Sequence, residues 1–274
     1  MDRIRQAVTR ARSSANQAAA LTTARQPQGL RFASQSAGDD HPPSEDRFAL
    51  AACNFDRFGV HRIISNEQDP VLNAYRVLRT RVLQKMDAAG WKTIAVVSPG
   101  AGAGKTVTAI NLAIAIGAKT GSHPMLADLD FYRPSVARYL GFREPPSLLD
   151  YFEGKRELDD VTVRPDLTDL LVMPNERVSR RGAEFLTSER TDQLIYTAVH
   201  DYKSRIVIFD MSPLLGCDDT IAFLPKVDCV LLVAASGQTR VSELKEARRI
   251  LAKTNVIGTV LNKSPRALMA NQYY

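Results

Sequence analysis

The sequence predicts an α/β protein: a doubly wound, mainly parallel sheet with helices on both faces. Three observations predict it. Short apolar, β-rich runs alternate along the chain with stretches of helical period. One such run, Ile94 to Val97, feeds directly into the glycine-rich stretch SPGAGAGKT, Ser98 to Thr106. Two others end on carboxylates, Leu126-Ala127-Asp128-Leu129-Asp130 and Ile206-Val207-Ile208-Phe209-Asp210. Ligands of parallel sheets gather at the carboxyl ends of the strands, where all three features fall.

In chain order, residues 1 to about 46 are rich in Ser, Ala, Gln and Arg, hold few large apolar residues, and close on Asp39-Asp40-His41-Pro42-Pro43. That is the composition of an unfolded arm, and we expect the arm to occupy residues 1–60. Between Met1 and Gly38, Arg3, Arg5, Arg10, Arg12, Arg25 and Arg31 face the single acid Asp2, so the arm holds most of the chain's formal charge of +6. A solvated arm, a membrane-surface or partner contact, and a targeting segment all fit that composition. A secretory signal does not, because no apolar run follows the charges. With its charge concentrated in the arm, the remainder presents no basic nucleic-acid face, and no nucleic-acid partner is expected.

Asp69-Pro70 reads as an N-cap and first helical residue, and Val71, Tyr75, Leu78, Val82 and Met86 then recur on one helical face over 69–88. Arg76 and Arg79 lie off that face. Strands are expected at Lys92 to Ser98, Met125 to Asp128, Leu170 to Pro174, Arg205 to Asp210, Asp228 to Ala234 and Val256 to Asn262. A chain of 274 residues that is 45% hydrophobic can close one core of about 200 residues. That core is placed at 61–264, leaving 265–274 as a tail. The longest apolar stretches, such as Ile110 to Ala118, fall short of the roughly 18 residues a membrane span needs. Cys53, Cys217 and Cys229 have neither metal-ligand spacing nor an even count, which points to a reducing compartment.

The glycine-rich stretch has a specific chemistry. Gly100, Gly102 and Gly104 allow the N–H groups of Gly100, Ala101, Gly102, Ala103, Gly104, Lys105 and Thr106 to curl around an anion, and the helix that follows points its positive end at the same place. Val107 lies in the first turn of that helix. Lys105 would reach the terminal phosphates of a nucleotide and the Thr106 hydroxyl would ligate Mg²⁺. The spacing G-x-x-x-x-G-K-[ST] is missed at one place, because Pro99 stands where its first glycine would be. Asp128, Asp130 and Asp210 beside such a loop form a metal and base set. Each taken singly reads better as a helix cap or a solvated turn.

From Asp69 to Tyr274 the chain resembles the bacterial tyrosine autokinases of the capsule and exopolysaccharide type, a branch of the P-loop ATPases that also includes septum-positioning and plasmid-partition proteins. Three motifs carry the resemblance. The loop is Val96-Val97-Ser98-Pro99-Gly100-Ala101-Gly102-Ala103-Gly104-Lys105-Thr106, with Ala101 in place of a proline. The second is Asp128-Leu129-Asp130-Phe131-Tyr132-Arg133-Pro134, with Tyr132 in place of an arginine, and the third is Asp210-Met211-Ser212-Pro213. The resemblance implies ATP and Mg²⁺ as cofactors. It makes Lys105, Asp128, Asp130 and Arg133 the catalytic group, with Asp128 as the base for an incoming tyrosine hydroxyl and Arg133 neutralising developing charge. Thr106, Asp130 and Asp210 become the metal-holding side chains, and Asn262 an adenine contact.

The same resemblance implies a membrane-embedded polysaccharide co-polymerase as partner, and hence a cytoplasmic protein held at the inner face of the membrane. The family's oligomerising helix reads Glu-x-x-Arg-x-x-Arg, whereas Asn73, Arg76 and Arg79 stand here. Tyr273 and Tyr274 remain of the tyrosine-rich tail and are the expected phosphoacceptors. Twelve residues from Asn262 to Tyr274 span at most about 40 Å, enough to reach a neighbouring molecule, so self-association and transfer in trans are expected. Two other functions compete: an ATPase switch of the partition type, and an ATP-binding adaptor without catalysis. The switches carry a lysine where this chain has Gly100.

Overall fold

The computed structural model describes residues 47 to 264, apart from residues 67, 70, 120 and 121. The chain enters through β1 (Ala49–Ala51), α1 (Asp56–His61) and α2 (Leu72–Ala89), then β2 (Thr93–Val97) and α3 (Lys105–Gly117). It continues through β3 (Met125–Asp128), α4 (Val136–Leu140), α5 (Leu148–Phe152), β4 (Val163–Pro165), β5 (Leu171–Met173), α6 (Gly182–Thr187) and α7 (Glu189–Tyr196). The last part is β6 (Val207–Asp210), α8 (Asp219–Phe223), β7 (Cys229–Ala235), α9 (Val241–Ile250) and β8 (Val256–Asn262).

These strands form one eight-stranded sheet in the order β1-β4-β5-β3-β6-β2-β7-β8. All neighbours pair in parallel except β4 with β5. Side chains of a strand alternate between its faces, and the core divides accordingly. Ile94 and Val96 of β2 join Ile208 and the apolar residues of α2, α3 and α4 on one side. Ala95 and Val97 join Phe209 and residues of α5, α6 and α9 on the other. The predicted doubly wound architecture is the observed one, because strands buried on both faces must be apolar almost throughout.

Two expectations are corrected. The folded part begins no later than Arg47, so residues 47–60 do not belong to an unfolded arm. Phe48 is buried with its ring edge-on to Tyr202 at 4.9 Å, Phe58 is fully buried, and β1 pairs with β4. A three-residue strand has no periodicity of its own to read, and β4 ends on Pro165, a strand-breaking residue. Second, Arg79 does not stand apart from the packing of α2, since it donates to the Ala115 carbonyl at 2.8 Å. The helix begins at Leu72, with the Val71 N–H bound to Asp69 Oδ1 at 2.8 Å. Pro70 lies outside the described residues, as does the tail from residue 265 onward with Tyr273 and Tyr274. The three cysteines are free. No helix among the described residues is long and apolar enough to cross a membrane.

Candidate functional site

Strand β2, held between β6 and β7, delivers the chain to the loop at its carboxyl end, and α3 leaves from it. Gly102 and Gly104 adopt φ of +79° and +89°, backbone that a residue with a side chain enters only at a cost. Ser98 closes the start of the loop by donating its hydroxyl to the Gly100 carbonyl at 2.8 Å. Thr108 closes its end, with N–H and Oγ1 each 2.9 Å from the Gly104 carbonyl. The amides between them are thereby left to face an anion at the positive end of α3.

Strands β3 and β6 pair with each other and β6 pairs with β2; Asp128 is in register with Asp210, and Asp130, two residues past it, joins Asp210 at Lys105. Lys105 Nζ lies 2.6 Å from Asp130 Oδ2 and 3.6 Å from Asp210 Oδ1. Thr106 donates its hydroxyl to Asp210 Oδ2 at 2.7 Å. The other oxygen of Asp130 accepts from Ser212 Oγ at 2.9 Å and from the Arg133 N–H at 3.0 Å. Burial alone would push the Lys105 ammonium down, but Asp210 and Asp130 more than reverse this and hold it charged. Burial likewise works to raise Asp130, and the contacts with Lys105 and Ser212 bring it below its ordinary value. Asp210, raised chiefly by burial, sits at about 6 despite Lys105 and Thr106.

Asp128 lies behind this cluster and is fully buried. Its Oδ2 accepts the N–H groups of Ser135 at 2.8 Å and Val136 at 3.0 Å, and its Oδ1 takes only the Asp130 N–H at 3.2 Å. Burial and the charge of Asp210 raise it well above the carboxylate range, against the pull of those amides. Arg133 is exposed, and no carboxylate among the described residues pairs with its guanidinium. Val107 is half-buried beside the loop.

Asn262 ends β8 beside the loop, and its amide is engaged there. Its Nδ2 donates to the Ala103 carbonyl at 3.0 Å and its Oδ1 accepts the Lys263 N–H at 2.8 Å, so the amide is a strut under the loop. Sequence reasoning also passed over Ser212 and Ser98. The one signal for Ser212 is its place in the third motif, Asp210-Met211-Ser212-Pro213, two residues after the strand-ending carboxylate.

Asp130 and Asp210 share the one ammonium of Lys105, and Asp210 Oδ1 is buried without a hydrogen-bond partner. Such a site is one positive charge or more short, which fits a divalent cation. Among the described residues no three acidic, His or Cys side chains converge closely enough to hold a metal by themselves. That suits Mg²⁺, which takes one or two carboxylates and completes its shell with water and phosphate oxygens. Thr106, Asp130 and Asp210 are the side chains that would hold it.

Fold and loop together define a nucleotide-binding protein of the P-loop class, with a variant loop and its carboxylates on the two strands that flank the sheet's centre. No family model matches the chain. It is 30% identical to EpsB of Ralstonia solanacearum over 207 residues, 75% of this chain and 27% of that one. It is 27% identical to the tyrosine-protein kinase YwqD of Bacillus subtilis over 204 residues, covering 73% of this chain and 85% of that one. The kinase domain of the Escherichia coli tyrosine kinase ETK superposes with a TM-score of 0.68 at 26% identity, over 77% of this chain and 82% of that one. The septum site-determining protein MinD of Pyrococcus horikoshii, complexed with Mg-ADP, shares the fold at a TM-score of 0.51 and 20% identity, over 64% of this chain and 72% of that one. The chain is thus a relative of the bacterial tyrosine-protein kinases and has the fold of their kinase domain. It spans about a quarter of the length of the first curated relatives it matches.

Proposed function

We propose that this chain is a tyrosine autokinase that moves the γ-phosphoryl group of Mg-ATP to tyrosine and thereby regulates capsule or exopolysaccharide polymerisation or export. The observation that carries this reading is the intact cluster of Lys105, Thr106, Asp130 and Asp210 around the loop. Its likeness to YwqD and to the ETK kinase domain supports the kinase reading over a partition-type switch, and so does Gly100, which has no side chain to reach across a dimer. By the family's pattern it works in the cytoplasm at the inner face of the membrane, beside a membrane polysaccharide co-polymerase.

In this mechanism the amides of Gly100 to Thr106 bind the phosphates and Lys105 leaves Asp130 to bind the terminal ones. Mg²⁺, when bound, would neutralise charge on the phosphate oxygens. Asp210 and Thr106 hold their oxygens toward that position, and Ser212 orients Asp130. Asp128 accepts the proton of the tyrosine hydroxyl through Oδ1, which keeps a lone pair. It does so in its ionised form, which burial and the charge of Asp210 disfavour and the amides of Val136 and Ser135 favour. Reaching it requires the turn Phe131 to Pro134 to open, and Arg133 on that turn then faces the transferred group. Asn262 supports the loop through the Ala103 carbonyl. Tyr273 and Tyr274 of a second molecule are the acceptors.

The test is phosphotyrosine formation and ATP turnover on purified protein. Removing the cation of Lys105 from a buried, charged site costs on the order of 2 to 5 kcal/mol, so Lys105→Met should abolish transfer. Mixing Lys105→Met protein with the Tyr273→Phe, Tyr274→Phe variant should label the former. Labelling confined to other tyrosines removes the tail from the reading. Turnover without phosphotyrosine favours the switch, and neither activity favours the adaptor.

A further inference from the structure

The segment that follows β6 touches both the phosphate loop and Asp130. The Leu214 N–H donates to the Ser98 carbonyl at 2.9 Å and the Leu215 N–H to the Pro99 carbonyl at 3.0 Å, so the contact of β6 with β2 extends into the first residues of the loop. Between this strand and α8 stand two fully buried hydroxyls, those of Ser212 and Thr220. Thr220, in the first turn of α8, donates Oγ1 to the Ser212 carbonyl at 2.6 Å. Ser212 donates its own hydroxyl to Asp130 Oδ1 at 2.9 Å, and Asp130 Oδ2 meets Lys105 Nζ at 2.6 Å. A line of short contacts thus leads from α8 to the carboxylate beside the loop.

Packing alone does not ask for these hydroxyls. A buried hydroxyl is costly unless it is bonded, and alanine and valine would occupy nearly the same volume without that demand. What the two residues supply is a hold on Asp130 that does not depend on Lys105. Lys105 holds one oxygen of Asp130, while Ser212 and the Arg133 N–H hold the other. In the proposed reaction Lys105 leaves for the phosphates, and the Arg133 N–H belongs to the turn that opens for the tyrosine. The Ser212 hydroxyl is the contact that remains.

We propose that Ser212 and Thr220 are positioning residues for Mg²⁺: together with the backbone bonds to Ser98 and Pro99 they make the segment between β6 and α8 a strap that holds Asp130 against the phosphate loop once Lys105 has turned to the nucleotide. The inference rests on the nucleotide- and metal-binding part of the proposed function and not on the choice of acceptor.

The experiment compares ADP affinity by calorimetry in Mg²⁺ and in EDTA, together with thermal unfolding of the full chain without nucleotide. Ser212→Ala removes a hydrogen bond to a charged group and should weaken ADP binding in Mg²⁺ about tenfold, while binding in EDTA stays within about twofold of wild type. Thr220→Val loses only the outer bond and should weaken binding in Mg²⁺ about threefold, whereas Thr220→Ser, which keeps the hydroxyl, should bind as wild type does. Phe223→Leu loosens α8 where Phe223 meets the Phe209 ring at 5.0 Å, and should lower the unfolding temperature without changing the ratio of the two affinities. Equal losses in Mg²⁺ and in EDTA, or a wild-type ratio in both Ser212→Ala and Thr220→Val, overturn the proposal. So does a ratio changed as much by Phe223→Leu. A wild type whose ADP binding follows Mg²⁺ in this way but which forms no phosphotyrosine overturns the kinase reading alone.

Discussion

Gly104→Ala should separate the loop from its strut. A Cβ at this position would stand 2.1 Å from Asn262 Nδ2 and 3.4 Å from its Cγ, on backbone with φ +89°. The left-handed backbone costs an alanine about 1–2 kcal/mol. Clearing the contact forces the amide off the Ala103 carbonyl, a loss of about 0.5–1.5 kcal/mol. If both fall on the binding-ready loop, the total is about 2–3 kcal/mol, or about 30- to 150-fold in Mg-ATP affinity by calorimetry. Adding Asn262→Ala removes the collision but neither the backbone strain nor the lost hydrogen bond, so the double variant should bind about as weakly as Gly104→Ala alone and less weakly than the two single losses summed. Asn262→Ala alone should weaken ATP and GTP alike, because the strut touches the loop and not the base. Binding of Gly104→Ala within threefold of wild type would refute this reasoning, and a selective loss of ATP over GTP in Asn262→Ala would restore the amide to the adenine.

Three further outcomes follow from individual contacts. Asp130→Asn frees Lys105 from its 2.6 Å partner and removes a negative charge worth on the order of 1 kcal/mol to an incoming phosphate; ATP in EDTA should bind more tightly than to wild type, while Mg²⁺-dependent turnover collapses. No gain in EDTA would show that the ion pair does not compete with nucleotide. Asp219 is raised by burial, then by Asp218, from 3.8 to about 6. The folded state therefore holds its proton more tightly, and this group's contribution to stability is present below about pH 4 and lost as pH rises through about 6, by at most about 3 kcal/mol. The difference in urea midpoint between wild type and Asp219→Asn should change across that window, and a constant difference contradicts it. Finally, a Cβ at Gly182 would lie 2.1 Å from Asp219 Oδ2, so Gly182→Ala should cost about 1–3 kcal/mol in denaturant melts. Asp219→Ala in the same chain should give part of it back, and strict additivity of the two would exclude the contact.

What the sequence by itself determined is local. The strand, the glycine loop and the helix from Ile94 to Gly117 are legible because a phosphate cradle needs contiguous residues in a fixed order. Asp128, Asp130 and Asp210 are legible because each ends an apolar run, and alternating runs imply a parallel sheet whose strand ends meet. Tertiary structure alone decided the rest. β1 and β4 are three residues each and exist because they pair with one another and bury Phe48, not because their own residues favour a strand. Whether Asp128 faces the mouth or the amides of Ser135 and Val136 depends on how the turn after β3 closes. Asn262 meets Ala103, and Asn111 meets Arg62 and Ile64, across long stretches of chain. An asparagine's partners are set by which backbone groups the fold leaves unpaired nearby, and no spacing rule in one dimension carries that information.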